Sequence, residues 1–170
     1  IKSLSVLENV TLVNLEGRGL LGKPGIDARI FRVLAQNNIS VSIISQGSSE
    51  RGIGFIVNAV DAQKAKAAIE AEFELDFYTK DVSSVYLTEN VSVISIIGQE
   101  LATFNKPYDA LIRNQIVPIL FNNTVTGKNV SLVVERAQLK KALNVIHSEI
   151  FGITKKINLV VFGHGTVGKT

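Results

Sequence analysis

The hydrophobic pattern of the chain changes period several times. Residues 10–15 alternate with the period of two that is typical of a strand, and runs rich in β-branched residues at 39–45 and 54–59 predict two more. A glycine-rich stretch at 17–25 and a polar turn at 47–52 separate them. Two amphipathic helices are predicted from apolar residues at three- and four-residue spacing. Their stripes are Ile26, Ile30, Val33 and Leu34, and Ala65, Ala68, Ile69 and Phe73.

Two residues predict where these helices begin. Pro24 suits the first turn of the first helix, because a residue without an N–H loses nothing at that position. Asp61 is placed to cap the second helix with its carboxylate.

A second half of the chain repeats this order. Residues 9–15 resemble residues 90–96, 81 positions later, and 39–46 resemble 115–122, 76 positions later. Residues 54–57 resemble 131–134, and Phe73 matches Phe151. These matches keep their order, so they indicate a duplicated unit of about 80 residues, which is longer than most solenoid repeats. The second unit's helices are predicted from two stripes: Tyr108, Leu111 and Ile112, and Leu139, Leu143, Ile146 and Ile150.

The elements predict an α+β fold built from two ferredoxin-like βαββαβ units. Each unit would carry helices on one face of an antiparallel sheet. Residues 83–88 supply the fourth strand of the first unit, and residues 3–7 are a spare strand at the start. We therefore expect a first domain at 9–88 and a second at 89–154 that is completed by strand 3–8. Residues 155–170 would begin a third.

Composition narrows the function classes. Hydrophobic residues make up 46% of the 170 and charged residues 19%, with a net charge of +3 from scattered positions. That balance is ordinary for a globular protein and does not favour nucleic acid as a partner. The chain has no cysteine and two distant histidines, His147 and His164, so we predict no catalytic and no metal-binding residue. No apolar run is long enough for a membrane span, and we expect a cytoplasmic protein.

The last residues carry the most recognisable motif. Gly163, Gly165 and Gly168 fit the GxGxxG pattern of a dinucleotide-binding turn, after an apolar run at 158–162. Gly163 and Gly168 with Lys169 and Thr170 also fit the phosphate-binding loop of nucleotide hydrolases. Either motif needs a helix that would follow Thr170, and the chain starts at Ile1 without a methionine. We therefore expect a piece of a longer protein.

Residues 19–31 and 38–50 resemble the first ACT domain of aspartokinases, and the second unit resembles the partner ACT domain. Residues 157–168 resemble the opening strand and turn of homoserine dehydrogenase, so the order is similar to bifunctional aspartokinase–homoserine dehydrogenases. The resemblance favours the dinucleotide interpretation of the terminal motif. It implies a parent enzyme that uses ATP with Mg²⁺ and NADP, and a chain that has no activity of its own.

The resemblance also implies a regulatory site for an end-product amino acid, threonine first and lysine second. Backbone N–H groups of Gly25, Ile26 and Asp27 can bind the carboxylate at a helix start, and Asp27 can accept from the ammonium group. In relatives a glutamine at the position of Gln46 contacts threonine, and Ser48 lies beside it. Asn122 is the predicted match of Gln46 in the second unit.

ACT pairs of this family usually dimerise side by side, which implies a homodimer or a higher oligomer. Two alternatives stay open. The chain could be a structural dimerisation module without an effector, or the front end of a nucleotide hydrolase.

Overall fold

Two strands of 14 residues, β1 (Ser3–Glu16) and β4 (Ser84–Ile97), organise the fold. The computed structural model describes residues 3–20, 22–46, 52–98, 105–123, 129–151 and 158–162. The chain divides into a first unit, Val10–Glu89, and a second unit, Ile1–Asn9 with Asn90–Thr170. Each long strand therefore gives one half to each unit.

The first unit is a ferredoxin-like sheet with its helices on one face. Its elements after β1 are α1 (Ile26–Gln36), β2 (Val41–Gln46), β3 (Gly52–Asn58), α2 (Ala62–Glu72), α3 (Glu74–Tyr78) and the start of β4. The strand order is β2-β3-β1-β4. β3 is antiparallel to both neighbours, with registers that include Leu15 opposite Ile53 and Gln46 opposite Ile53.

The second unit follows the same plan. It contains the end of β4, α4 (Asn105–Arg113), β5 (Leu120–Asn123), β6 (Asn129–Glu135) and α5 (Leu139–Phe151). Its strand order is β1-β4-β6-β5, so residues 3–9 of β1 supply the fourth strand of this unit.

The last described strand, β7 (Asn158–Phe162), lies in this sheet as well. It pairs in parallel with β1, from Ser3 opposite Asn158 to Leu7 opposite Phe162. The expectation that residues 155–170 begin a third domain stays a prediction, because the structure describes only 158–162 of that segment. The pairing itself has a physical reason, since the edge of β1 offers N–H and C=O groups that a short apolar strand can satisfy.

Each long strand changes unit at an asparagine with left-handed backbone. Asn9 has φ 58° and Asn90 has φ 57°, and the two residues are 81 positions apart. Asparagine adopts this conformation more readily than other residues with a side chain, apart from aspartate. Arg136 donates to the Asn90 Oδ1 over 2.7 Å. The duplicated asparagines therefore explain why two predicted strands in each case form one strand with a local break.

The cores confirm most of the predicted helical stripes. In the first unit the four residues of the α1 stripe are buried, as are Ala65, Ile69 and Phe73. In the second unit Leu111 and Ile146 are buried, and the other α5 stripe residues pack against them. Tyr108 and Ile112 are exceptions, because they are 39% and 40% exposed. Two exposed apolar residues on α4 leave part of its predicted core face open.

The two helix starts differ from the prediction. α1 begins at Ile26 with Gly25 at its N-cap, so Pro24 precedes the helix and does not occupy its first turn. Asp61 holds the N-cap position of α2, but its side chain makes no cap hydrogen bond. A short 3₁₀ turn, Ala59–Asp61, leads into α2 and brings Asp61 to helical φ and ψ. An N-cap side chain reaches the helix N–H groups from extended backbone, which explains the missing bond.

The ends of α1 and α4 show the duplication at the level of single bonds. Asn37 and Asn114 each donate a side-chain N–H to the carbonyl four residues earlier, over 2.8 and 2.7 Å. Each is followed by a residue of positive φ, Asn38 and Gln115. This repetition, at a spacing of 77 residues, supports the shared origin of the two units.

One buried hydroxyl leads to a prediction about stability. Ser92 is 0% exposed, and its Oγ has no hydrogen-bond partner within the part of the chain that the structure describes. A buried hydroxyl without a partner costs about 1–3 kcal/mol, so we expect Ser92→Ala to raise the free energy of unfolding by about 1 kcal/mol. Ser95→Ala is the control, because the Ser95 Oγ lies 2.8 Å from the Ser131 Oγ and the substitution breaks that bond. Urea unfolding distinguishes them, and a loss of stability in Ser92→Ala would contradict the prediction.

Candidate functional site

The segment between β1 and α1 is the centre of the predicted site. Gly22 and Gly25 have φ values of 73° and 83°, and neither would bring a Cβ within 4 Å of another atom. Such backbone favours glycine for its conformation and not for lack of space. Gly25 then starts α1 without a side-chain cap, and its carbonyl accepts from the Arg29 N–H over 3.0 Å.

The first turn of α1 has one buried and one exposed side chain. The Ile26 side chain belongs to the core, whereas Asp27 is exposed. The first N–H groups of an α-helix have no partner within the helix, and the helix dipole favours an anion there. A carboxylate group of a ligand therefore fits the start of α1 chemically, and the exposed Asp27 carboxylate can accept from an ammonium group.

Gln46 lies at the same end of the sheet. It pairs with Ile53, and Ile53 pairs with Leu15, one residue before β1 ends and the chain turns toward α1. The strand register therefore brings the Gln46 backbone to the sheet end from which the predicted site begins. Ser48 lies outside the described residues.

The strand register corrects the position of Asn122. Asn123 pairs with Val130, the counterpart of Ile53 at a spacing of 77 residues, so Asn123 matches Gln46. Asn122 pairs with Ser131 one position away, and a shift of one residue along a strand reverses the face of the sheet. The predicted equivalence of Asn122 with Gln46 is therefore wrong by one position. Sequence matching missed it because it aligned 39–46 with 115–122 at a spacing of 76 residues, whereas the register keeps the spacing of 77 that also separates Asn37 from Asn114.

The structure adds a charged cluster that we did not predict. Arg29 of α1 donates to both carboxylate oxygens of Asp76, over 3.3 and 2.8 Å, and to the Oε1 and carbonyl of Glu72, over 3.2 and 3.1 Å. Its guanidinium carbon lies 4.1 Å from the centre of the Phe73 ring. Hydrogen bonds, charge and ring contact together fix the first turn of α1 against α2 and α3.

A second ion pair reaches the loop before α1. The Lys23 Nζ donates to the Asp81 Oδ2 over 2.8 Å and lies 3.9 Å from the Asp76 Oδ1. Thr79 donates its hydroxyl to the same Asp81 oxygen over 3.0 Å. Asp76 therefore stands between an anchor on the loop, Lys23, and an anchor on the helix, Arg29.

The protonation of this cluster follows from its hydrogen bonds. Donation from Arg29 lowers the pKa of Asp76 below its ordinary value of 3.8, although partial burial acts in the opposite direction. The same bond raises the pKa of Arg29. Hydrogen bonds from Lys23 and then Thr79 lower the pKa of Asp81. The carboxylates of Asp76 and Asp81 are therefore charged at neutral pH and balanced by neighbouring cations.

Two other glycines give the loop its route along the turn after α3. A Cβ at Gly17 would lie 2.0 Å from the Asp81 carbonyl oxygen, and one at Gly19 would lie 2.3 Å from the Asp81 Cβ. The Gly19 N–H donates to the Asp81 carbonyl over 2.9 Å. Gly17 and Gly19 therefore allow the segment after β1 to pack closely against Asp81 and Val82.

The remaining sequence candidates lie apart from this cluster or outside the described residues. The terminal motif with Gly163, Gly165 and Gly168, and His164 within it, lies outside the described residues. His147 belongs to α5. In the described ranges no group of three His, Cys, Asp or Glu residues could hold a metal ion. No helix of the described chain is long and apolar enough to cross a membrane.

Comparison with known proteins agrees with this architecture. Residues 13–73 match the ACT domain family. The bifunctional aspartokinase/homoserine dehydrogenase of Haemophilus influenzae is 27% identical over 172 residues, which cover 99% of this chain and 21% of that protein. The chain spans about a fifth of the length of the curated relatives it matches first.

Solved structures share the fold. The ligand-free regulatory subunit of aspartate kinase from Thermus thermophilus has a TM-score of 0.68 and 22% identity, covering 86% of this chain and 96% of that one. Aspartokinase III of E. coli, in complex with lysine and aspartate, has a TM-score of 0.60 and 18% identity, covering 87% of this chain and 32% of that one. Residues 13–73 therefore resemble ACT domains, and the predicted similarity of the chain to bifunctional aspartokinase–homoserine dehydrogenases is confirmed.

Proposed function

We propose that this chain is the amino-acid-sensing regulatory module of an aspartokinase and that it binds threonine at the start of α1 in the first unit. One observation carries the proposal. The start of α1 has no side-chain cap and follows Gly25, which has left-handed backbone. The segment that leads to it starts at the end of the sheet where β2 ends with Gln46.

The chemistry of a free amino acid fits the groups at this position. Its carboxylate would bind the N–H groups of Gly25, Ile26 and Asp27, supported by the helix dipole. Its ammonium group would donate to the Asp27 carboxylate, and a side-chain hydroxyl would exchange hydrogen bonds with the Gln46 amide. Ser48 is a further proposed contact.

Threonine is favoured over lysine by the hydroxyl, because an amide can both donate to it and accept from it. Lysine remains the second candidate, since the related fold of E. coli aspartokinase III was solved with lysine bound. An uncharged Gln46 would give the ammonium group of a lysine side chain an acceptor without a balancing charge.

The wider role follows the relatives. Threonine binding would control an aspartokinase activity of the parent protein, with ATP, Mg²⁺ and NADP as cofactors of its catalytic domains. A homodimer is proposed because β2 and β5 are the terminal strands of the strand order, and terminal strands of small sheets can pair with those of other chains. The same edges support the second candidate function, a dimerisation module without an effector.

Isothermal titration of the 170-residue chain with threonine and with lysine tests the proposal. We expect threonine to bind, and we expect Gln46→Ala to weaken it about tenfold to a hundredfold, since a hydrogen bond to a buried ligand group contributes about 1.5–3 kcal/mol. Asn123→Ala is the matched control, because it removes the amide at the corresponding strand position of the second unit.

Two results would contradict the proposal. Equal threonine affinity in wild type and Gln46→Ala would remove Gln46 from the site. If neither threonine nor lysine gives a heat of binding, the dimerisation module without an effector is the remaining function. Sedimentation of the same sample would then test for the dimer.

A further inference from the structure

The segment that leads into α1 combines conformational freedom with fixed ends. Gly22 and Gly25 both occupy left-handed backbone, and glycine loses more conformational entropy on folding than any other residue. Lys23 lies between them and is held by Asp81 over 2.8 Å. Arg29, four residues after Gly25, is held by Asp76 over 2.8 Å.

The acceptor side of these ion pairs is itself well fixed. The Asp76 carbonyl accepts from the Val82 N–H over 3.0 Å, and the Asp81 carbonyl accepts from the Gly19 N–H over 2.9 Å. Thr79 donates to the Asp81 carboxylate. Lys23 therefore attaches a glycine loop to a turn whose own backbone is held on both sides.

Charge balance at this position matters to an anionic ligand group. Asp76 and Asp81 would repel a carboxylate near the start of α1 if they were unpaired. Lys23 and Arg29 neutralise them at short distance, so the helix dipole keeps its attraction for an anion.

We infer that the Lys23–Asp81 ion pair is a positioning pair for the amino-acid site: it holds Gly22–Gly25 in the conformation that presents the first N–H groups of α1. This inference rests on the proposed function of that site. Lys23 and Asp81 act through the loop and need not touch the ligand. Without the Lys23–Asp81 pair, the free energy of binding the amino acid would include the cost of ordering the glycine loop.

The test uses Lys23→Gln, Asp81→Asn, the double variant and the conservative Lys23→Arg. Hydrogen exchange of the Arg29 amide, which donates to the Gly25 carbonyl over 3.0 Å, is measured without ligand, and threonine affinity is measured by titration. Since the pair is partly exposed, we expect each single variant to raise exchange and weaken threonine about threefold to fivefold. The double variant should equal the single ones, and Lys23→Arg should retain wild-type values.

Arg113→Gln is the matched control. It breaks another exposed ion pair, between Arg113 and Glu149 over 3.3 Å in the second unit, and should change neither measurement. A merely stabilising pair would shift the melting temperature alone and would leave threonine affinity unchanged.

The possible failures can be told apart. If wild type binds threonine and Lys23→Gln matches it in affinity and exchange, the inference is wrong and the proposed function stands. If the two single effects add in the double variant, the residues do not act as a pair and the inference is also wrong. If wild type binds no amino acid, the proposed function fails and takes the positioning role with it, while faster exchange in Lys23→Gln would still show the loop contact.

Discussion

Gly17→Ala should destabilise the protein by about 3 kcal/mol, because a side chain forced into a packed position costs about 1–3 kcal/mol and more when backbone must move. The new Cβ would lie 2.0 Å from the Asp81 carbonyl oxygen and 2.6 Å from the Val82 Cα. Both neighbours are main chain, so no rotamer change can relieve the overlap. The loop between β1 and α1 would separate from the turn after α3. A loss of this size corresponds to a fall in melting temperature of about 10 °C for a chain of this length.

Gly22→Ala is the matched control within the same loop. Its Cβ would meet nothing within 4 Å, but its φ of 73° is unfavourable for alanine and costs about 1–2 kcal/mol. Calorimetric melting of the two variants therefore separates crowding from backbone strain. If Gly17→Ala melts as Gly22→Ala does, or higher, the close contact between Gly17 and Asp81 is not a feature of the folded protein.

The fold class was predictable because periodicity encodes burial directly. The stripe of Ile26, Ile30, Val33 and Leu34 could face only a sheet, and the structure buries all four. Which strands pair with each other was harder to predict from the sequence, since strands pair through main-chain N–H and C=O groups that nearly all residues share. β7 shows this: its apolar residues predicted a strand correctly, but nothing in the run itself specified β1 as its neighbour.

The candidate site was predictable only in its local parts. The glycines before α1 and the helix start can be recognised from adjacent residues. The ion pairs cannot, because Arg29 and Asp76 are 47 residues apart and Lys23 and Asp81 are 58 apart. A pattern of charges on two helices allows many pairings, and only the packing of α1 on α2 selects one.

Arg29→Ala should reduce the free energy of unfolding by about 2 kcal/mol. Removing one partner of a buried ion pair costs about 3–5 kcal/mol of stability. We expect a smaller loss here because the Arg29 side chain is 31% exposed. The substitution leaves the Asp76 carboxylate, whose side chain is 11% exposed, without its main donor. It also removes the cation from the Phe73 ring. Arg29→Met should recover part of the loss by packing on that ring, which would separate apolar contact from charge.

The pH dependence of this difference gives the sharper test. The folded-state pKa of Asp76 is lowered by Arg29, so the pair stabilises the protein fully above the ordinary carboxyl pKa of 3.8. The contribution begins to be lost as the pH falls below 3.8 and is absent below the lowered pKa. In that acid range the free energy of unfolding of the wild type should therefore fall toward that of Arg29→Ala. From pH 5 to 7 the difference in free energy of unfolding between the two proteins should stay constant.

Arg32→Ala, which breaks a more exposed bond to Glu72 over 2.8 Å, is the control and should lower the free energy of unfolding by about 0.5 kcal/mol at most. Urea unfolding across this pH range measures all three, and a gap that stays unchanged in acid would show that Asp76 is not the group that Arg29 stabilises.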